Sequence, residues 1–291
     1  AWAFHAPRAG WRCWVADESK LLVHDGSAWT ENGTSAGGRE VLIANRTYYV
    51  RTDGSDSNDG LTDSSGGAFL TLQKAWNTIL TLDLNGFTVT VEVGNGTYTA
   101  GVNMATAPVG GNVIWDGDTT TPGNVIVSVT GNNGFTLNAP CTVTVRGFEL
   151  RTTTSGNCLV ASKGLLQFDA LIFGACAGFH IRLDTHAHAK ASSASWTING
   201  NAQRHFSVAL NAALEISNST VTVSGTPAFS SAFAYAFTGA AATWFSTTVT
   251  GAATGKRYDV SQNAIVNTFG VGASYFPGDV AGTTATGGQY A

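Results

Sequence analysis

Apolar positions recur along the chain with two different periods, and the change between them divides it. From Leu72 to Ile79 the period is helical: Leu72, Ala75, Trp76 and Ile79 fall at i, i+3, i+4 and i+7, while Gln73, Lys74 and Asn77 face away. Thr71 stands where an N-cap belongs. After Leu84 that period does not return. Thr88–Val93, Asn112–Trp115, Val125–Thr130, Phe135–Asn138, Thr142–Leu150 and Leu165–Phe173 alternate or run apolar and are divided by Gly, Asn and Pro, which predicts short strands. These strands echo one another. Phe148, Ile172, Ile198, Val221 and Thr247 recur in similar surroundings and at nearly even intervals. Such an echo marks a solenoid, whose turns bury their apolar face only by stacking.

A leucine-rich repeat would carry a dense Leu/Asn register, and a β-sandwich would show turns without the echo. The pattern therefore predicts an all-β protein with a parallel β-helix over 88–250. At roughly 25 residues per turn that makes about six or seven coils, a stub on the order of 30 Å long. The helix lies ahead of it, in an opening segment at 47–87, where it would plug a first rung that otherwise exposes an apolar lumen and unpaired edges. Residues 1–30 read as a β-hairpin, with strands at Trp11–Ala16 and Lys20–His24 and tryptophans as its small core. A linker is expected over 31–46. Residues 251–291 form a C-terminal cap, in which Tyr258, Val260, Ile265 and Phe269 close the last coil while Phe276 and Tyr290 anchor an extension.

Composition sharpens this picture. Charged residues make up 12% of the 291, against the roughly one quarter usual for a soluble surface. Much of the exterior must be Thr, Ser and Asn, or must be covered by another subunit; both are expected. In residues 228–245, Phe233, Tyr235 and Phe237 share one face by period two, and Ala232, Ala234 and Ala236 make the other face apolar too. A strand apolar on both faces is covered on both. One cover is the lumen; the other is most simply a second protomer, with Phe233, Tyr235, Phe237 and Trp244 at the contact, although a lateral helix or loop of the same chain would serve as well. A net charge of −4 without a basic patch excludes nucleic acid as a partner, and no apolar run is long enough for a membrane-crossing helix. Cys13, Cys141, Cys158 and Cys176 lack CxxC spacing and read as buried free thiols.

The richest polar run is Phe179–Ala191. His180, Arg182, Asp184, His186, His188 and Lys190 occupy its even positions. As one strand it would present six ionisable groups on a single outward face. That face is either a solvated surface, a ladder that binds carbohydrate and in particular anionic glycans, or, through His186 and His188, a metal site on a symmetry axis. No third ligand is visible, so neither metal nor cofactor is assigned. Hydrolysis of a glycan would need two carboxyl groups, for which Asp116 with Asp118, or Asp169 with Glu149, are the candidates. A lyase would need a base such as His180 beside Arg182 or Lys190. No motif of either enzyme is present. The loop Asp53–Gly60 lacks the closing Glu of a calcium loop, and turn chemistry explains it. The Asn-Gly-Thr triplets at Asn32 and Asn95 read as tight turns.

Residues 47–80, from Thr-Tyr-Tyr-Val-Arg-Thr-Asp-Gly-Ser-Asp to Leu-Gln-Lys-Ala-Trp-Asn-Thr-Ile, resemble the opening segment of right-handed parallel β-helices of the pectin-lyase-like superfamily, above all those of bacteriophage and prophage tail spikes. Trp11–Trp29 resembles the end of a small uncharacterised module of prophage tail proteins, which implies that part of that module precedes Ala1. The closing Tyr275-Phe276-Pro277-Gly278 and Gly-Gly-Gln-Tyr resemble prophage spike termini. The resemblance implies a right-handed coil capped by its helix, a homotrimer, a place on a virion, attachment to other virion proteins through the N-terminus, and recognition of a host surface polysaccharide. The rivals are a depolymerase on the same fold and a purely structural connector.

Overall fold

The computed structural model describes residues 5–18, 20–31 and 39–291. The Asn32 triplet and most of the first half of the expected linker lie outside them.

From Arg46 onward the chain winds as a right-handed-type parallel β-solenoid of about 8 turns. Each turn contributes one strand to each of three sheets. Sheet one has ten strands, from Arg46–Val50 to Gln289–Tyr290; sheet two has seven, from Gly96–Tyr98 to Thr248–Thr250; sheet three has eight in its main path, from Val102–Met104 to Thr283–Thr284, plus Thr254–Gly255 alongside. The winding does not end at residue 250. Tyr258–Val260, Ile265–Asn267 and the two last short strands continue the ladders, which explains why the stack is taller than the periodicity suggests.

The register of the repeat differs from the echo read in the sequence. In sheet two the inward residues Val127, Leu150, Phe173, Ile198 and Val223 stand in line, one per coil. Ile172, one of the positions that carry the echo, points outward, because it shares a rung position with Glu149 and Thr197. Sheet one sends Val91, Trp115, Val145, Phe168, Ala191, Ile216 and Trp244 into the lumen, all at most 2% exposed.

The corners are built from left-handed backbone. Between sheets three and one, successive coils place two residues at positive φ: Thr185-His186, Leu210-Asn211, Thr238-Gly239, Gln262-Asn263 and Thr286-Gly287. Each turn donates a backbone N–H to the next, as from His186 to Leu210 at 3.1 Å and from Gly239 to Gln262 at 2.9 Å. Holding non-glycine residues there costs energy that the stacked bonds offset. At the corner between sheets two and three, asparagine amides take over: Asn133 Oδ1 accepts from the Asn157 N–H, and Asn157 Oδ1 from the Phe179 N–H, both at 2.9 Å.

The helix α1 (Leu72–Ile79) buries Leu72, Ala75, Trp76 and Ile79 against the first rung, with Thr71 Oγ1 accepting from the Lys74 N–H. Asp56 secures its start by accepting from the N–H groups of Leu70 and Thr71. Of the residues assigned to the linker, Glu40–Val41 pairs in parallel with Leu82–Asp83, and Leu42 is buried.

The N-terminal piece is a three-stranded antiparallel sheet, Arg12–Val15, Lys20–His24 and Trp29–Glu31. Its tryptophans do not form a core. Trp11, Trp14 and Trp29 are all exposed, because a single small sheet has no second layer to bury them. His24 packs edge-on against Trp29 instead. All four cysteines are free thiols; Cys158 and Cys176 are buried, whereas Cys13 is exposed and Cys141 half-buried.

Candidate functional site

The run 179–191 is not one strand. Phe179–Leu183 belongs to sheet three and His188–Ser192 to sheet one, with the left-handed pair Thr185-His186 turning the chain between them. The six ionisable residues therefore do not share a face. Arg182 projects from sheet three and pairs with Asp184 at 2.7 Å. His186 sits exposed on the corner. His188 and Lys190 project from sheet one beside Glu215, 3.3 Å from the His188 ring. His180 is fully buried. Strict alternation fails twice: within Phe179–Leu183, where His180 and Ile181 are both buried, and at the corner that follows.

His180 lies one coil before His205, and the two imidazoles form the centre of a closed hydrogen-bond chain. Trp196 Nε1–H donates to His205 Nε2 at 3.3 Å, the two Nδ1 atoms are 3.2 Å apart, and His180 Nε2 is 3.0 Å from the Gly174 carbonyl oxygen. The partners dictate the tautomers. His205 Nε2 must accept, so its proton is on Nδ1 and donates to His180 Nδ1; His180 then carries its proton on Nε2. Phe173, Phe229 and Phe233 enclose the pair. Burial pushes the His180 pKa down to about 3 and that of His205 well below its usual value.

Phe233 and Trp244 do not lie at a subunit contact. Both point inward: Phe233 stacks on Phe276, and Trp244 meets Phe206, Tyr275 and Phe276. A register shift in the pairing of Ala202–Val208 with Ala228–Ala236 brings Phe233 inside together with the alanines. Only Tyr235 and Phe237 face outward, their rings edge to face at 5.2 Å.

Outside sheet three the structure assembles a group that the sequence reading missed. The guanidinium of Arg204 lies over the Phe179 ring of the coil before, at 4.7 Å, and over the Tyr235 ring of the coil after, at 3.5 Å. Its Nε donates to Ser231 Oγ at 3.2 Å and its Nη1 to Ser207 Oγ at 3.0 Å. Burial lowers its pKa, the Arg182 charge adding to the effect. Arg46, Arg51, Arg146, Arg151 and Arg182 each hold a carboxylate, but no carboxylate lies within ion-pair distance of Arg204 among the described residues. The repeat carried a signal for this site: Phe179-His180-Ile181-Arg182-Leu183 and Arg204-His205-Phe206-Ser207-Val208 align one coil apart.

The four acids singled out for hydrolysis are committed elsewhere. Asp116 takes two bonds from Arg146, Asp118 accepts from the N–H groups of Thr120 and Thr121, Asp169 from those of Ala170 and Ser195, and buried Glu149 is held by Arg151. Among the described residues Glu92, in register with Asp116, is the carboxylic acid whose pKa is raised, by burial first and then by the Asp116 charge. Among the described residues no three His, Cys, Asp or Glu groups converge as metal ligands. Arg51 pairs with Asp53, and Asp59 accepts from the Leu61 N–H, so the Asp/Gly loop spends its carboxylates internally.

Residues 1–30 match a family described as protein of unknown function (DUF2793). No curated protein and no solved structure matches the chain.

Proposed function

We propose that the chain is the host-contacting spike or fibre subunit of a phage or phage-like particle, binding surface polysaccharide along the outer face of sheet three. The observation that carries this reading is the Arg204 group. Phe179, Tyr235 and Phe237 offer ring faces and edges to sugar C–H groups, while Arg182, Asp184 and Arg204 offer charged donors and acceptors. A rigid stack holds them at a fixed spacing of about 4.8 Å per coil. The resemblance of residues 47–80 and of the C-terminus to tail-spike proteins supports the setting.

The test is incubation with purified bacterial capsules and lipopolysaccharides. Retention of a polymer whose length is unchanged is the expected result; no retention at all leaves a structural connector. Shortened chains would favour the second reading, cleavage, which the raised proton affinity of Glu92 beside Asp116 supports. In that case Glu92→Gln should abolish shortening and spare retention.

The particle-mounted form is a homotrimer in this reading, with the contact on sheet two. From the coil of Ile172 to that of Thr250, its outward residues are Ile172, Ser195, Thr197, Thr220, Thr222, Thr248 and Thr250, without an ionisable group. The other two sheets carry Lys190, Glu215, Arg182 and Asp259 over the same coils. At the adjoining corner Phe245 and Phe269 remain 49% and 56% exposed, ring to ring at 5.2 Å. Charge depletion beside exposed aromatics is what an interface core requires. Light scattering should give the mass of three chains, and Thr222→Lys with Thr250→Lys should give the mass of one. A monomeric wild type would end this assignment.

A further inference from the structure

Resting on that reading, we infer that the Arg204 group takes a carboxylate-bearing sugar, a uronic or sialic acid unit, with Arg204 holding the carboxylate edge-on. Both faces of the guanidinium are covered, by Phe179 on one coil and Tyr235 on another. A ligand can therefore reach it only in its plane. In that plane Nε and one N–H of Nη1 are used by Ser231 and Ser207. No carboxylate among the described residues takes the remaining Nη1 hydrogen or those of Nη2, which have the Tyr235 side chain beside them, and a planar carboxylate matches two such in-plane donors with two parallel bonds. A tetrahedral phosphate would use the in-plane donors less fully. Among the described residues no carboxylate forms an ion pair with Arg204: Asp259, beside Tyr235 on the following coil, attracts it only from a distance and is itself held by Lys256 at 3.0 Å, whereas each of the other solenoid arginines named above is paired. Desolvated cations without a counter-ion are costly, and the cost is offset when a ligand brings the charge. Tyr235 and Phe237 extend from the same spot as a platform for the sugar ring. Arg182, bound to Asp184, lies close enough to repel Arg204 and adds to the local positive potential.

The experiment uses the full chain and four polymers: polygalacturonate, hyaluronan, polysialic acid and teichoic acid. Each of the first three is run beside its carboxyl-reduced form, in which the acid is a primary alcohol. Retention of at least one carboxylated polymer is expected to fall about tenfold or more on reduction. Arg204→Gln should lose the same factor and bind the native and reduced polymers alike, while Arg204→Lys, which keeps the charge and loses the fork, should fall between. Lys190→Gln on sheet one should change nothing, and melting curves of the variants establish that they fold. Equal retention of the reduced forms, an unchanged Arg204→Gln, or a preference for teichoic acid would overturn the carboxylate assignment while leaving glycan binding intact. Failure to retain any polymer, charged or reduced, would remove the glycan reading and this inference together.

Discussion

Acid should loosen the middle of the stack, with the onset near pH 6.5 and well before most carboxylates titrate. In the unfolded chain His180 and His205 take up protons at about pH 6.5. In the native protein they do not, because the extra proton has no acceptor. On His180 Nδ1 it would face the His205 Nδ1–H, and on His205 Nε2 it would face the Trp196 Nε1–H. Phe173, Phe229 and Phe233 surround the rings without a charge, and the other titratable group in their column is the buried thiol of Cys158, one coil before His180. Both folded pKa values are depressed, so the unfolded state binds more protons between pH 6.5 and about 3. Stability is full above that window and is lost as pH falls, by up to about 1.4 kcal/mol per pH unit for each ring. Asp53, held low by Arg51, and Asp118, held low by the Thr121 N–H, add losses of the same sign only further down. The urea midpoint measured from pH 7.5 to 5 reads the histidines; Cys176, whose thiol the Cys158 side chain holds down to about 7, adds a loss of the same sign only at the upper end of that range. A His180→Leu/His205→Leu variant should start lower, since Trp196 N–H and the Gly174 carbonyl lose partners at about 1–3 kcal/mol each. Its midpoint should then barely respond to pH. An undiminished acid slope in that variant would refute the assignment.

Phe276→Ala should cost about 3–5 kcal/mol, the range for removing a fully enclosed aromatic ring. The ring plugs the lumen at the C-terminal end, touching Phe206, Phe233, Trp244, Tyr275 and Tyr290. Without it, the neighbouring Tyr275 hydroxyl, bonded to the Thr247 carbonyl at 2.7 Å, and the stacked Tyr258–Tyr290 pair lose their backing. Hydrogen exchange should speed up over residues 258–291 and leave the first coils near Val91 and Trp115 protected. A loss below about 1 kcal/mol in urea, far short of the cost of an emptied aromatic site, would show that the last coils stand without this plug. The helix seals one end of the lumen and Phe276 the other. The physical problem at both ends is the same: an apolar interior and a set of strand edges with no further coil to meet.

Much of the fold is readable from the chain alone. Leu72, Ala75, Trp76 and Ile79 announce the helix and its buried stripe, since a helical period needs no tertiary information. The even recurrence of similar strands announces the winding. The register within each rung is not readable, because Phe148, Ile172 and Thr247 sit in similar local sequences yet at different places in their coils. Only hydrogen bonding between coils separates Ile172, outside, from Phe173, inside. The candidate site suffers for the same reason. Alternation places His180 on the outer face with Arg182, yet His180 and Ile181 are both buried on that one strand, and it brings His188 and Lys190 to the same face only when carried across a left-handed corner, of which Thr185 and His186 give no local sign. Arg204 draws no notice, since nothing local distinguishes it.

Local periodicity determined that this chain forms one helix and then a repeating run of short strands, because period-two and helical burial are properties of neighbouring residues. Which side chains meet was decided by the stacking. Phe179, Arg204 and Tyr235 belong to three different coils and touch only because successive coils lie one strand spacing from each other. The same superposition took His180, His205 and Phe233 out of water, and with them it set where the protein holds protons and where it leaves a charge unpaired.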